Sequence, residues 1–296
     1  MQVERKILPL QIIYTVSPPV PAKSTDLMSK RLYSLIVFFT FLLSASSCGE
    51  YIQVQRSSDI SLKYSYAKKY YNQEKWRRAA DLLTEVVPSY SGTQEGAQAI
   101  YMLADSHYNL KEGDIAAEYF RKYYTNYPKA DQVKEARYKA AHALAMMSPD
   151  VEYDQSPTYT AMMEIQSFME RYPSTPEAEE MKQLLFALQD KLAFKEYKAA
   201  ELYYNMGMYM GNNYESSVLT ARNALVAYPY SQYAEDFYYL IIQALYAQAE
   251  NSVAQKMPQR FRNVIDAYHD YAARYPQGKY LKQAQKLYQN SQKRIQ

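Results

Sequence analysis

A chain of 296 residues with 48% hydrophobic and 22% charged residues has the composition of a folded protein, and its 7 Gly are too few for a many-stranded sandwich or for repeated phosphate loops. The single Cys excludes an internal disulfide framework and a thiolate zinc site, while 34 Tyr beside 1 Trp dominate the aromatic content. The net charge of +3 belongs to the amino-terminal end: without the five basic and two acidic groups of residues 1–47, 29 groups of each sign remain, so no Lys/Arg excess marks a nucleic-acid footprint.

Residues 1–27 carry Pro9, Pro18, Pro19 and Pro21 and fit no targeting plan, so they are expected to lie upstream of the true initiator, Met28. Residues 28–47 read as a signal peptide: Lys30 and Arg31 form a charged start, Leu32 to Leu43 an apolar stretch, and Ser44 to Ser47 a small-residue end. The apolar part is about a dozen residues, short of the roughly 20 a bilayer-spanning helix needs. Cys48 follows directly, and the segment resembles a bacterial lipoprotein signal, although Ala45 stands where Leu is usual. The resemblance implies lipidation of Cys48, an acylated tether over 48–56, and, from Gly49, sorting to the outer membrane. An ordinary signal with an incidental Cys is the alternative.

From Ser57 onward apolar and aromatic residues recur at three and four spacing, as at Tyr64, Ala67, Tyr70 and Tyr71, then Ala79, Leu82, Leu83 and Val86. Val87-Pro88, Tyr127-Pro128, Tyr172-Pro173, Tyr228-Pro229 and Tyr275-Pro276 each close such a stretch, and polar starters such as Thr93, Asp131, Thr175, Ser231 or Gly278 follow. Thr175-Pro176-Glu177 reads as an N-cap, a first-turn proline and an acid at the positive helix end. The intervals between prolines, 40, 45, 56 and 47 residues, mark a repeat array. The fold class is therefore all-α: a superhelical array of about five tetratricopeptide-like helix pairs. The pattern predicts one long helix over Glu177 to Met210 and a capping helix over Lys279 to Ile295. The repeats divide into 57–173, units one to three, and 174–296, units four and five with the cap.

Chemistry is sparse. His107, His142 and His269 sit in different units, so no pair has metal-ligand spacing, and no nucleophile elbow, Walker loop or H-E-x-x-H occurs. No cofactor, metal or catalytic residue is expected. Trp76 and most Tyr are read as packing; Tyr also suits contact surfaces, because it offers area and a hydroxyl.

A signal ending at Cys48, five units closing mostly on Tyr-Pro, and the stretches Tyr70 to Leu83 (YYNQEKWRRAADLL) and Asp190 to Glu201 (DKLAFKEYKAAE) together resemble the BamD family. These are tetratricopeptide-repeat lipoproteins of the outer-membrane β-barrel assembly machinery, and the resemblance covers most of Cys48 to Gln296. It implies a non-catalytic scaffold, anchored to the outer membrane and facing the periplasm. The later units would dock on the periplasmic domains of a BamA-type barrel protein, with Lys191, Glu196, Tyr197 and Glu201 as candidates. The first helices of units one and two would receive unfolded outer-membrane proteins through Tyr64, Lys68, Tyr71, Tyr101, Asp105 and Tyr108. Another tetratricopeptide lipoprotein of cell-wall or division assembly would share all but the junction motifs. A glycan-binding lipoprotein of the SusD kind would be longer and richer in Trp.

Overall fold

A computed structural model describes residues 49–295, and the expectations for residues 1–48, including the signal and Cys48, lie outside the described residues. The chain divides into two units, Met1–Ser57 and Ser58–Gln296. Of the first, residues 49–56 of the expected tether are helical (α1). The second contains α2 (Ile60–Asn72), α3 (Trp76–Ser89), α4 (Gln94–Asn109), α5 (Gly113–Asn126), α6 (Val133–Met146), α7 (Ser156–Arg171), α8 (Pro176–Met206), α9 (Asn213–Ala227), α10 (Ala234–Glu250), α11 (Met257–Arg274) and α12 (Leu281–Ile295). No strand occurs among the described residues.

Within the second unit every helix packs on the next, and each even-numbered helix also meets the next even-numbered one. This gives five helix pairs, α2/α3 to α10/α11, with α12 closing the series. Alanine sets the close crossings: Ala104, Ala116, Ala136 and Ala140 are fully buried around Phe120. Residues without bulk at a crossing let two backbones approach, and one aromatic fills the space beside them.

Four odd-numbered helices end alike. Tyr127, Tyr172, Tyr228 and Tyr275 occupy the C-cap with φ between −125 and −131° and ψ between 52 and 66°. A following proline pushes its predecessor out of the α region, which stops the helix there. Each of these tyrosines still donates its backbone N–H to the carbonyl four residues back, at 2.8 to 3.0 Å. Proline itself has no N–H to leave unpaired.

Two sequence expectations need correction, and a third, the N-cap at Thr175, holds in position but without a side-chain cap bond. Pro88 does not close its helix; it lies in the last turn of α3, which runs on to Ser89. A proline's fixed φ suits a helix, and in a final turn its missing N–H removes a single bond. Thr175 holds the N-cap position, yet its hydroxyl donates back to the Tyr172 carbonyl at 3.0 Å instead of accepting from the new helix. Pro176 takes the first helical position, where its fixed φ suits the helix and its missing N–H is one the helix leaves unpaired in any case. Thr93, in contrast, caps α4 by accepting the Gly96 N–H at 3.0 Å. The long helix stops at Met206, four residues early, because Gly207 adopts φ 55° and turns the chain.

The 31 residues of α8 serve two buried clusters. Ala178, Met181 and Leu188 pack with Ile165 and Phe168 of α7 and Ala141 of α6. Ala193 and Ala200 pack with Ala221 of α9, Phe237 and Ile242 of α10 and Val264 of α11.

Candidate functional site

The six residues expected to receive a peptide all lie on α2 and α4. They form the seam between successive even-numbered helices. Tyr64 is buried, and its hydroxyl donates to Gln98 Oε1 at 2.8 Å and to the Glu95 carbonyl at 3.2 Å. The Lys68 ammonium lies 4.3 Å from the centre of the Tyr64 ring, a cation–π contact. Tyr71 donates to Asp105 Oδ2 at 2.6 Å, and Lys139 of α6 donates to Asp105 Oδ1 at 2.7 Å and to the Tyr101 hydroxyl at 3.3 Å. Tyr101 is buried edge-on against Phe120 and Tyr123. Tyr108 meets His142 Nδ1 at 2.9 Å.

The electrostatics follow from this burial. Burial opposes the Lys139 charge, but the carboxylates of Asp105 and Glu135 outweigh it and raise its pKa. Burial, then the bond to Asp105, pushes the Tyr71 hydroxyl far above its ordinary range. Both groups therefore keep their protons at neutral pH. Asp105 is 6% exposed and shares two donors from neighbouring helices, so it serves as an internal tie. Tyr64, Tyr101 and Asp105 are thus built into the array, while Lys68, Tyr71 and Tyr108 are half-buried and keep surface towards solvent.

Several of these bonds span 34 positions: Tyr64 to Gln98, Tyr71 to Asp105, Asp105 to Lys139, and Tyr108 to His142. A 34-residue tetratricopeptide period is what places such residues at equivalent points of successive first helices. The sequence shows tetratricopeptide-like helix pairs, with 40 to 56 residues between their prolines; the 34-residue spacing emerges only from these bonds.

The four docking candidates on α8 separate. Lys191 donates to the Ser148 and Pro149 carbonyls at 3.2 Å and to Ser148 Oγ at 2.9 Å, which ties α8 to the insertion between α6 and α7. Sequence reasoning missed its neighbours in this clamp: Lys195 reaches the Tyr153 carbonyl at 2.6 Å, and Lys198 pairs with Glu152. Tyr197 faces α10, edge-on to Phe237 with ring centres 5.6 Å apart, and burial pushes its hydroxyl up to about 12. Glu196 is half-buried, and Glu201 is exposed. Glu201 borders a cleft of about 470 Å³ lined also by Val151, Lys198 and Leu202.

Beyond that cleft, sequence reasoning missed an apolar tip. Leu202, Met206, Met208, Tyr209 and Met210 are exposed at the end of α8 and in the turn after it, with Met210 at 90%. The uncharged run from Leu202 to Tyr214 is its sequence signal. No group of three or more His, Cys, Asp or Glu able to hold a metal occurs among the described residues. None of the described helices is long and apolar enough to cross a membrane.

Residues 57–212, more than half of the chain, match the model of the YfiO family, described as outer membrane lipoprotein. The chain belongs to this family. It is the BamD family, so membership places the chain among outer membrane lipoproteins. The YfiO match runs from the start of the first helix pair through α8 and ends in the turn before α9. No curated protein matches the chain.

Proposed function

We propose that this chain is a non-catalytic scaffold of the outer-membrane β-barrel assembly machinery, anchored by acyl chains on Cys48 and facing the periplasm. The observation that carries the reading is membership of the YfiO family in a chain whose second unit is an unbroken series of five helix pairs. Stacked pairs present long faces suited to extended peptides and partner domains.

Two faces take the two kinds of partner. Lys68, Tyr71 and Tyr108 offer a half-buried cation and two half-buried aromatics along α2 and α4, suited to the alternating aromatics and free backbone groups of an unfolded barrel segment. The cleft beside Glu201 and Leu202 offers a carboxylate and apolar area to a periplasmic domain of a BamA-type barrel protein. Tyr64, Tyr101 and Asp105 support the first face from within, and Lys191 and Tyr197 hold the second in place.

Co-purification from detergent-solubilised membranes tests this reading. A barrel protein carrying repeated periplasmic domains is the expected companion. Peptidoglycan-assembly factors in its place would overturn the proposal in favour of a cell-wall or division role.

A further inference from the structure

The last 26 residues, 271–296, contain six basic side chains and no acidic one. Residues 48–270 then hold twenty-three basic groups against twenty-nine acidic ones, so the chain is polarised in charge. Three of the six cations are engaged. Lys279 pairs with Asp236 at 2.9 Å, Arg294 approaches Glu250 at 3.9 Å, and Arg274 lies over the Tyr238 ring. Lys282, Lys286 and Lys293 are exposed and have no ion pair among the described residues.

These three lysines recur at i, i+4 and i+11, which places them within one narrow stripe of α12, with the exposed Gln289 between them. The opposite side of the helix is occupied: Ala284 and Leu287 belong to the cluster of α8 to α11, and Tyr288 stacks on Tyr268 at 4.4 Å. The stripe therefore faces outward.

Helix physics does not account for it. Cations favour a helix C-terminus, which explains Lys293, but Lys282 lies in the first turn, against the positive end of the dipole, where no acid is present. Lys282 and Lys286 are also like charges four apart, an unfavourable pair. Several other lysines of the second unit do have carboxylate partners, namely Lys63, Lys122, Lys134, Lys139, Lys182 and Lys198.

We infer that the lysine stripe of α12 rests on the anionic headgroups of the membrane to which this family of lipoproteins belongs. The inference goes beyond the scaffold reading and does not depend on which proteins the array binds. A planar anionic surface asks for a row of flexible cations and needs no pocket, and each lysine adds a modest increment. A protein interface would centre on aromatic or Arg anchors and would be poor in Lys. This stripe has no such anchor, since Tyr288 is covered by Tyr268. Electrostatic contact of this size adds to the attachment that acyl chains provide.

The test is lysine acetylation footprinting of the full chain reconstituted in vesicles, read by mass spectrometry. Vesicles of equal phosphatidylglycerol and phosphatidylethanolamine are compared with neutral phosphatidylcholine vesicles, and the exposed Lys129 and Lys256 serve as internal references. Acetylation of Lys282, Lys286 and Lys293 is expected to slow by about fivefold on the anionic vesicles alone. Salt well above about 0.1 M, where the screening length is roughly 10 Å, is expected to restore the rate. Lys286→Glu is expected to return Lys282 and Lys293 to the reference rates without loss of helicity. Equal rates on both vesicles would overturn the inference. So would slowing that requires an added protein partner, or slowing that follows protein concentration in detergent, the sign of a second copy of this chain.

Discussion

Tyr71 donates its hydroxyl proton to Asp105 at 2.6 Å across the seam between α2 and α4, 34 positions along the chain. Asp105 accepts a second bond from Lys139, a further 34 positions on, so one buried carboxylate links three successive first helices.

Removing parts of this link should cost unequal amounts. Tyr71→Phe deletes one bond to an ionised group, a loss of about 1.5–3 kcal/mol. Asp105→Ala strands the partly buried Lys139 and should cost about 3–5 kcal/mol. Urea unfolding followed by circular dichroism reads both, and equal losses would refute the role of Lys139.

His142 should make the array sensitive to mild acid. Burial, the largest influence, and the Lys111 charge lower its pKa from 6.5, while Glu180 opposes them. The unfolded chain then takes up a proton at higher pH than the fold does. Stability is complete above about 6.5 and declines as the pH falls through the folded-state value. The urea midpoint of the wild type should drop between neutral pH and pH about 5, and His142→Gln should flatten that drop.

Gly113 sits where the start of α5 lies close against the end of α6. A Cβ there would lie 2.5 Å from the Ala143 carbonyl oxygen and 2.7 Å from Met147 Cγ. Gly113→Ala gains helix propensity, but overpacking should win, for a net loss of about 1–3 kcal/mol. A thermal scan showing stabilisation would contradict this contact.

Lys191→Met should free the α6–α7 insertion while leaving the helices intact. The three bonds from Lys191 to Ser148 and Pro149 are lost, and those from Lys195 and Lys198 remain. Amide exchange over residues 147–155 should quicken by about tenfold, consistent with a bond to a charged group. Exchange in α8 itself should not change.

Tyr108→Ala and Lys68→Ala should each weaken binding of a barrel-derived carboxy-terminal peptide by about fivefold or more, the scale of an interface residue worth over 1 kcal/mol. Peptide affinity measured by fluorescence anisotropy decides this, with helicity recorded alongside. Unchanged affinity in both variants would remove α2 and α4 from the peptide-binding assignment.

The architecture was legible because it rests on short-range rules. Prolines after Tyr127, Tyr172, Tyr228 and Tyr275 stop helices through a local clash, and the alanine spacing of each crossing is written in consecutive turns. The candidate site was legible only in part. Which side of a tyrosine faces a neighbouring helix depends on a partner 34 residues away, so Tyr64 and Tyr101 could not be separated from Tyr108 by pattern. Lys191 reads in the sequence as a docking residue, because two of its three partners are backbone carbonyls, which carry no sequence signature.

Because α8 lends one part of its length to each of two buried clusters, those two clusters are joined through a single continuous helix. At about 1.5 Å per residue its 31 residues form a rod some 45 Å long. The end near Met206 and the part packed on Phe168 therefore belong to one continuous rod.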